Sequence, residues 1–325
     1  MDKQNKNGTL VSFRPGIKVV DCTMRDGGLV NNFGFSDEFV RALYQANIKA
    51  GVDYMEFGYK ASREIFDESE FGKWKFSKEE DLRGIVGEND TNLKISVMAD
   101  AGRTNYKEDI LPKSESVIDM IRVATYIHQI PTAIHMIEDA KEKGYEVTVN
   151  VMAASKIPDE SLFDGLWLLA RSNVDVIYLV DSFGSFYPEQ ISRLTAKYQE
   201  LAEGKEIGFH GHNNQQLAFA NTIEACRLGV NYLDASVSGM GRGSGNCHME
   251  ALLSFLRNPS YQLFPILKFV EEHMIQLRQE GWQWGYDIPY LLTGVLNNHP
   301  SSAIKFAKDK RIDYNRFYQE LLEMD

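Results

Sequence analysis

Ile17-Lys-Val-Val-Asp21-Cys-Thr-Met-Arg25-Asp26-Gly27-Gly28, followed by Ser36-Asp-Glu-Phe-Val40 and a periodic run to Gly51, holds one complete strand–loop–helix unit. The first five residues are rich in β-branched side chains and read as a strand. Ser36 is a ready N-cap, Asp37 and Glu38 suit a first helical turn, and Phe39, Val40, Leu43 and Ala46 form a helical stripe that Gly51 closes. The two glycines after the Arg25–Asp26 pair read as a sharp turn where the backbone comes close to a neighbour.

Outward from this stretch the unit repeats. Further strands are expected at 53–57, 93–98, 118–123, 146–151, 174–180, 206–209 and 231–235, each rich in Val, Ile, Tyr or Phe. Amphipathic stretches at 131–143, 189–202 and 215–228 lie between them, closed by Gly144, Gly204 and Gly229. Eight strands alternating with helices predict an α/β protein, a closed parallel (β/α)8 TIM barrel over residues 17–257. An open doubly wound sheet is the alternative. The alternation stops beyond residue 257, so 258–325 reads as a helical C-terminal extension with an aromatic loop, Trp282-Gln-Trp-Gly-Tyr-Asp-Ile-Pro-Tyr290. Residues 1–16 read as a polar N-terminal arm, and the charged, aromatic insert 61–90 has no clear place in the pattern.

The totals narrow the function classes. The 325 residues are 43% hydrophobic, enough for a sizeable core. A net charge of −11 argues against nucleic acid or an anionic membrane surface as a partner. Three cysteines with no CxxC spacing fit small packed thiols in a reducing compartment, and no run of about 18 apolar residues occurs. A cytoplasmic location is the expectation.

In a barrel of this kind the chemistry sits at the C-terminal ends of the strands. The residues expected there, in strand order, are Asp21, Arg25 and Asp26; Glu56 and Lys60; Asp100; Arg122; Asn150; Asp181 and Ser182; His210 and His212; and Ser236 with the loop Gly239-Met-Gly-Arg-Gly-Ser-Gly245-Asn246. His210 and His212 are two apart on a strand, so both imidazoles face one side. With the Asp26 carboxylate and the Asn246 amide oxygen they form a mixed nitrogen and oxygen set. Such a set suits Mn²⁺ or Mg²⁺ before Zn²⁺ or Co²⁺, with open positions for a substrate. An open divalent ion can hold the carboxylate and keto oxygens of a 2-oxo acid and stabilise its enolate, with Arg25 as a second positive centre. Arg122, Asn150, Asp181 and Ser236 are the candidate substrate contacts. The glycine-rich loop lacks the GxGxxG and GxxxxGK[ST] patterns, which disfavours a nucleotide.

Asp21-Cys-Thr-Met-Arg-Asp-Gly27, Ile121-Arg-Val-Ala-Thr125, Val180-Asp-Ser-Phe-Gly184, Gly208-Phe-His-Gly-His-Asn-Asn214 and Asp234-Ala-Ser-Val-Ser-Gly-Met-Gly-Arg-Gly-Ser-Gly-Asn246 together resemble the hydroxymethylglutaryl-CoA lyase-like metal-dependent aldolase superfamily. The branch they look most like is that of the 4-hydroxy-2-oxovalerate aldolases. The resemblance implies a lyase or aldolase of pyruvate enolate chemistry, with Asp26, His210, His212 and Asn246 at the metal and Arg25 at the enolate. Glu56 matches an acidic position of the lyase branch. It also implies a homodimer or an aldehyde dehydrogenase as candidate protein partners. One departure stands out: where the aldolases carry a basic histidine, this chain has Leu29. Lys60, Tyr290 and His299 are the candidate replacements, Tyr290 approximating a catalytic tyrosine of the aldolase tail. Other expectations left open are an isopropylmalate-type acyl-CoA condensing enzyme and a barrel whose catalysis has lapsed into binding.

Overall fold

The computed structural model describes residues 14–324. Eight parallel strands close into a barrel in chain order: β1 Lys18–Asp21, β2 Tyr54–Tyr59, β3 Lys94–Asp100, β4 Met120–Thr125, β5 Glu146–Val151, β6 Val176–Asp181, β7 Glu206–Gly211 and β8 Tyr232–Ala235. Closure comes from β1 against β8, with Val20 opposite Asp234. Every strand expected from the β-branched runs is present, and five of them extend one or two residues farther toward the C-terminal mouth. The open-sheet alternative is therefore excluded.

Helices around the barrel are α1 Thr23–Asn31, α2 Asp37–Ala50, α3 Glu79–Val86, α4 Tyr106–Asp109, α5 Ile130–Glu142, α6 Asp159–Ala170, α7 Pro188–Leu201, α8 Ala218–Arg227 and α9 Met249–Phe255. In α2 the Ser36 hydroxyl accepts from the Phe39 amide at 3.2 Å, and Gly51 ends the helix in the left-handed region at φ 72°. The core lies between strands and helices and joins residues from Ile17 through Trp284. All three cysteines are buried.

Gly27 and Gly28 do not make the expected turn. They lie inside α1, and the chain reverses later, at Asn32 and Phe33, both with positive φ (52° and 64°). The close approach is real, though. A Cβ on Gly28 would sit 2.2 Å from the Phe33 ring, so packing against the folded-back chain excludes any larger residue.

Beyond α9 the described residues carry no strand. They form α10 Phe264–Phe269, a π-helical turn, α11 Ile275–Gln279, α12 Ile288–Val295, α13 Ser301–Lys308 and α14 Tyr314–Leu322. The last three enclose a small core of their own, Ala303, Phe306, Phe317 and Leu321. The insert that the sequence left unplaced folds against the barrel mouth. Its Trp74 indole donates to the Phe35 carbonyl at 3.1 Å, and the Lys75 ammonium lies 4.4 Å over the rings of both Tyr59 and Phe66. Most of the expected N-terminal arm lies outside the described residues.

Candidate metal centre and active site

Three strand ends converge on one point at the barrel mouth. Asp26 stands in the first turn of α1, directly after β1, while His210 and His212 straddle the end of β7. Asp26 Oδ2 lies 3.9 Å from His210 Nε2 and 3.8 Å from His212 Nδ1. These atoms are close enough to share one ion and too far apart to hydrogen bond to one another. Asn246 arrives from the loop after β8, which is tied to His212 by a bridge pairing.

The residues fit a divalent ion by their unmet needs. Asp26 Oδ2, His210 Nε2, His212 Nδ1 and Asn246 Oδ1 are all buried without a hydrogen-bond partner. Three orphaned electron-pair donors around one point, with a fourth on the adjoining loop, are costly to bury unless a cation satisfies them. Gly241 keeps the space open: a Cβ there would lie 2.4 Å from Asn246 Nδ2 and 2.9 Å from Asp26 Oδ2.

The donors are also held in the protonation states that coordination needs. Burial pushes His212 down to about 3, so its ring is neutral at physiological pH. Burial alone would raise Asp26, but His212, Arg25, His210 and Arg242 outweigh it and hold its carboxyl well below the usual range. His210 Nδ1 lies 2.9 Å from Asp234 Oδ2. Arg122 and His210 overcome the burial of Asp234 and keep it ionised, so it can only accept. The His210 proton therefore sits on Nδ1, leaving the Nε2 lone pair directed at the centre.

Beneath the centre runs a buried charge chain. Glu56 Oε2 accepts from Arg25 Nε at 2.8 Å and from Arg122 Nη1 at 2.9 Å. Arg122 Nη2 donates to Asp234 Oδ2 at 2.6 Å, and its guanidinium stacks 4.5 Å over the Tyr178 ring. A second buried triad, Cys22, His210 and Asp234, resembles a metal set by composition. Arg122 already serves it as cation, with Nη1 3.4 Å from the Cys22 sulfur. A metal ion would have to displace that guanidinium.

Above the centre opens a cavity of about 90 Å³ lined by Arg25, Asp26, His210, His212, Asn150 and Ser182, with Leu29, Tyr59, Arg242 and His299 around its rim. Roughly 10–15 Å³ holds one water, so a compact ligand of a few heavy atoms fits. An outer chamber of about 520 Å³ adjoins it and shares Leu29 and Arg242.

Several residues read as substrate contacts or catalysts lie elsewhere. Arg122 does not line the cavity. It stands three residues before the end of β4, one layer down in the barrel, where it balances Glu56 and Asp234. Glu56 is likewise a layer below, orienting Arg25. Asp181 turns into the β6 loop and accepts the Ser185 and Phe186 amides at 2.9 and 3.2 Å, leaving neighbouring Ser182 to face the cavity. Ser236 is buried behind the wall. Lys60 points away into the insert and donates to the Ser77 carbonyl at 2.8 Å. Tyr290, in α12, packs on Gly243 and lines the outer chamber. Asn150 is where the sequence put it. Asp234, Arg242, Tyr59 and Tyr126 were not singled out. For Asp234 a signal existed, since it is in phase with Tyr232 on β8 and with Ser236 just after it.

Residues 16–263 match the family model described as HMGL-like. The chain is 34% identical over 240 residues to a protein named 4-hydroxy-2-oxovalerate aldolase 1 from Rhodococcus erythropolis, covering 73% of this chain and 68% of that protein. It is 30% identical over 248 residues to one named oxaloacetate decarboxylase from Mycobacterium tuberculosis, covering 74% and 69%. Among solved structures, the N-terminal domain of a provisionally named aldolase from Bacteroides vulgatus superposes with a TM-score of 0.79 at 29% identity, covering 90% of this chain and 96% of that one.

Proposed function

This chain belongs to the HMGL-like family, and on that premise we propose that it is a divalent-metal-dependent carbon–carbon lyase, breaking or forming the C3–C4 bond of a 2-oxo acid. The observation that carries this reading is the convergence of orphaned Asp26, His210, His212 and Asn246 donors beside an arginine at the floor of a small cavity. Mn²⁺ or Mg²⁺ bound there would supply a Lewis acid for the carboxylate and keto oxygens of the substrate.

The remaining chemistry falls to the chain itself. Arg25, fixed through Nε by Glu56, presents its other guanidinium face to the oxygen that gains charge as the enolate forms. Its geometry is set before the substrate arrives, which limits reorganisation during reaction. Leu29 at the rim offers an apolar wall and no proton acceptor. His299 lines the same cavity, and its Nδ1 accepts the Ser301 amide proton at 3.1 Å. The proton of the neutral ring therefore sits on Nε2, an arrangement that suits donating a hydrogen bond to an aldehyde oxygen as the bond forms.

A second reading of the same site is favoured by Leu29. Retro-aldol cleavage requires removal of a hydroxyl proton, whereas loss of CO₂ from a 3-carboxy-2-oxo acid requires no base. There the C3–C4 bond breaks, its electron pair stays on C3 as the enolate, CO₂ leaves, and a solvent proton then adds at C3. Pyruvate release from 4-hydroxy-2-oxopentanoate and from oxaloacetate, measured with and without Mn²⁺ and with Asp26→Asn, tests both. Metal-stimulated release lost in the variant supports the proposal. No release from either substrate, and no condensation of pyruvate with a panel of aldehydes, would leave a binding barrel without turnover.

A further inference from the structure

Arg242 is a cation with no ion pair among the described residues, at the junction of the two cavities. It stands in the loop after β8 and lines both the inner cavity and the outer chamber. Among the described residues its one side-chain hydrogen bond is from Nη2 to the Ser182 carbonyl at 3.1 Å, and no carboxylate lies within ion-pair distance of it. Arg25, by contrast, is matched by both Glu56 and Asp26. Arg242 is felt electrostatically by Asp26, His212, Tyr290 and His299, so its charge reaches across both spaces.

The loop that carries it is held firmly. The Gly243 carbonyl accepts the Gly285 amide at 3.0 Å, the Gly245 carbonyl accepts the Asn213 amide at 2.8 Å, and the Tyr290 ring packs on Gly243. The C-terminal extension, through Gly285 and Tyr290, and the segment after β7, through Asn213, thus fix the backbone that follows Arg242. A partly buried arginine that retains most of its donors, pointing into a ligand-sized space, is a carboxylate receptor in waiting. The opposite wall supplies Leu29, which neither competes for the cation nor bonds a hydroxyl group.

We propose that Arg242 binds a second anionic group of the substrate, selecting 2-oxo acids that carry a carboxylate on the C4 side over those that are neutral there. This rests on the 2-oxo acid reading above and narrows it to 2-oxo dicarboxylic acids; where the second carboxylate stands on C3, as in oxaloacetate, release of CO₂ is the matching reaction.

The test compares oxaloacetate with 4-hydroxy-2-oxopentanoate, using Mn²⁺-loaded wild type, Arg242→Ala and Arg242→Lys, after subtraction of decarboxylation by the metal alone. Arg242→Ala is expected to lower kcat/KM for oxaloacetate roughly 10- to 100-fold more than for the neutral substrate, mainly through KM, with part of the difference restored by lysine. Equal losses on both substrates overturn the assignment of Arg242 and leave the lyase reading standing. If wild type releases pyruvate from neither, the lyase reading fails, and calorimetric binding of 2-oxoglutarate against 2-oxopentanoate still decides. A preference for the dicarboxylate that vanishes in Arg242→Ala supports the receptor; equal binding overturns it.

Discussion

Replacing Arg122 by Met removes the cation that bridges Glu56 and Asp234 inside the barrel. Glu56 keeps Arg25 at 2.8 Å, but Asp234 loses its guanidinium partner and keeps the His210 ring at 2.9 Å, in a site where Arg122 itself is 0% exposed. Breaking a buried pair in this way costs about 3–5 kcal/mol. With an unfolding entropy of roughly 2.1 cal/mol/K per residue over 325 residues, that corresponds to a Tm about 4–7 °C lower, read by calorimetry of the metal-free protein. The loss should depend on pH in a defined direction. Without Arg122, burial raises the folded-state pKa of Asp234 above its unfolded value of roughly 3.9, so the penalty is present at pH 8 and fades as the pH falls through that raised value. The gap in Tm therefore narrows toward pH 5. Arg122→Met combined with Asp234→Asn should recover most of the loss at pH 8. A Tm within about 1 °C of wild type for the single variant, or a gap independent of pH, would refute the buried charge chain.

Three further outcomes follow from the same geometry. Gly241→Ala places a methyl group 2.4 Å from Asn246 Nδ2 and 2.9 Å from Asp26 Oδ2; Mn²⁺ affinity by calorimetry should fall at least about tenfold with the circular dichroism of the fold retained. Asp234→Asn weakens the orientation of His210 and should lower Mn²⁺ affinity roughly 10- to 100-fold. Asp21 is pushed up to about 6 by burial, against hydrogen bonds from Thr23 and Asn47, while Asn47 Oδ1 beside it has no partner. Its folded-state pKa is above the unfolded one, so its stabilising share is present below about pH 4 and lost as pH rises through 6. Asp21→Asn, with the Asn47 amide turned over, should match wild type near pH 4 and exceed it by about 3 kcal/mol at pH 8 in urea unfolding.

The barrel was legible because each strand–helix unit carries its own signals: Ser36 and Gly51 bracket α2 as expected, and β-branched runs mark all eight strands. The metal set was legible for a related reason, since strand ends of a closed barrel must meet at one mouth. What the sequence withheld is depth. Arg122 and Asn150 both lie on strands that lead to the mouth, yet Arg122 falls one layer short, and only the register decides which side chain reaches the cavity. Arg242 and His299 were hard to assign for a different reason. Their positions depend on how a loop and the C-terminal helices pack, which no local periodicity encodes. Gly27 and Gly28 read as a turn because glycine breaks helices, but here the demand for room beside Phe33 and Met240 prevails within α1.

The most direct measurement of the central claim is exchange of the methyl protons of pyruvate in D₂O, followed by mass spectrometry. Enolate formation at the Asp26–His210–His212 centre predicts deuterium incorporation that requires Mn²⁺ or Mg²⁺, stops with EDTA and is lost in Asp26→Asn. Exchange that persists without a divalent ion or without Asp26, or no exchange with any divalent ion, would contradict it.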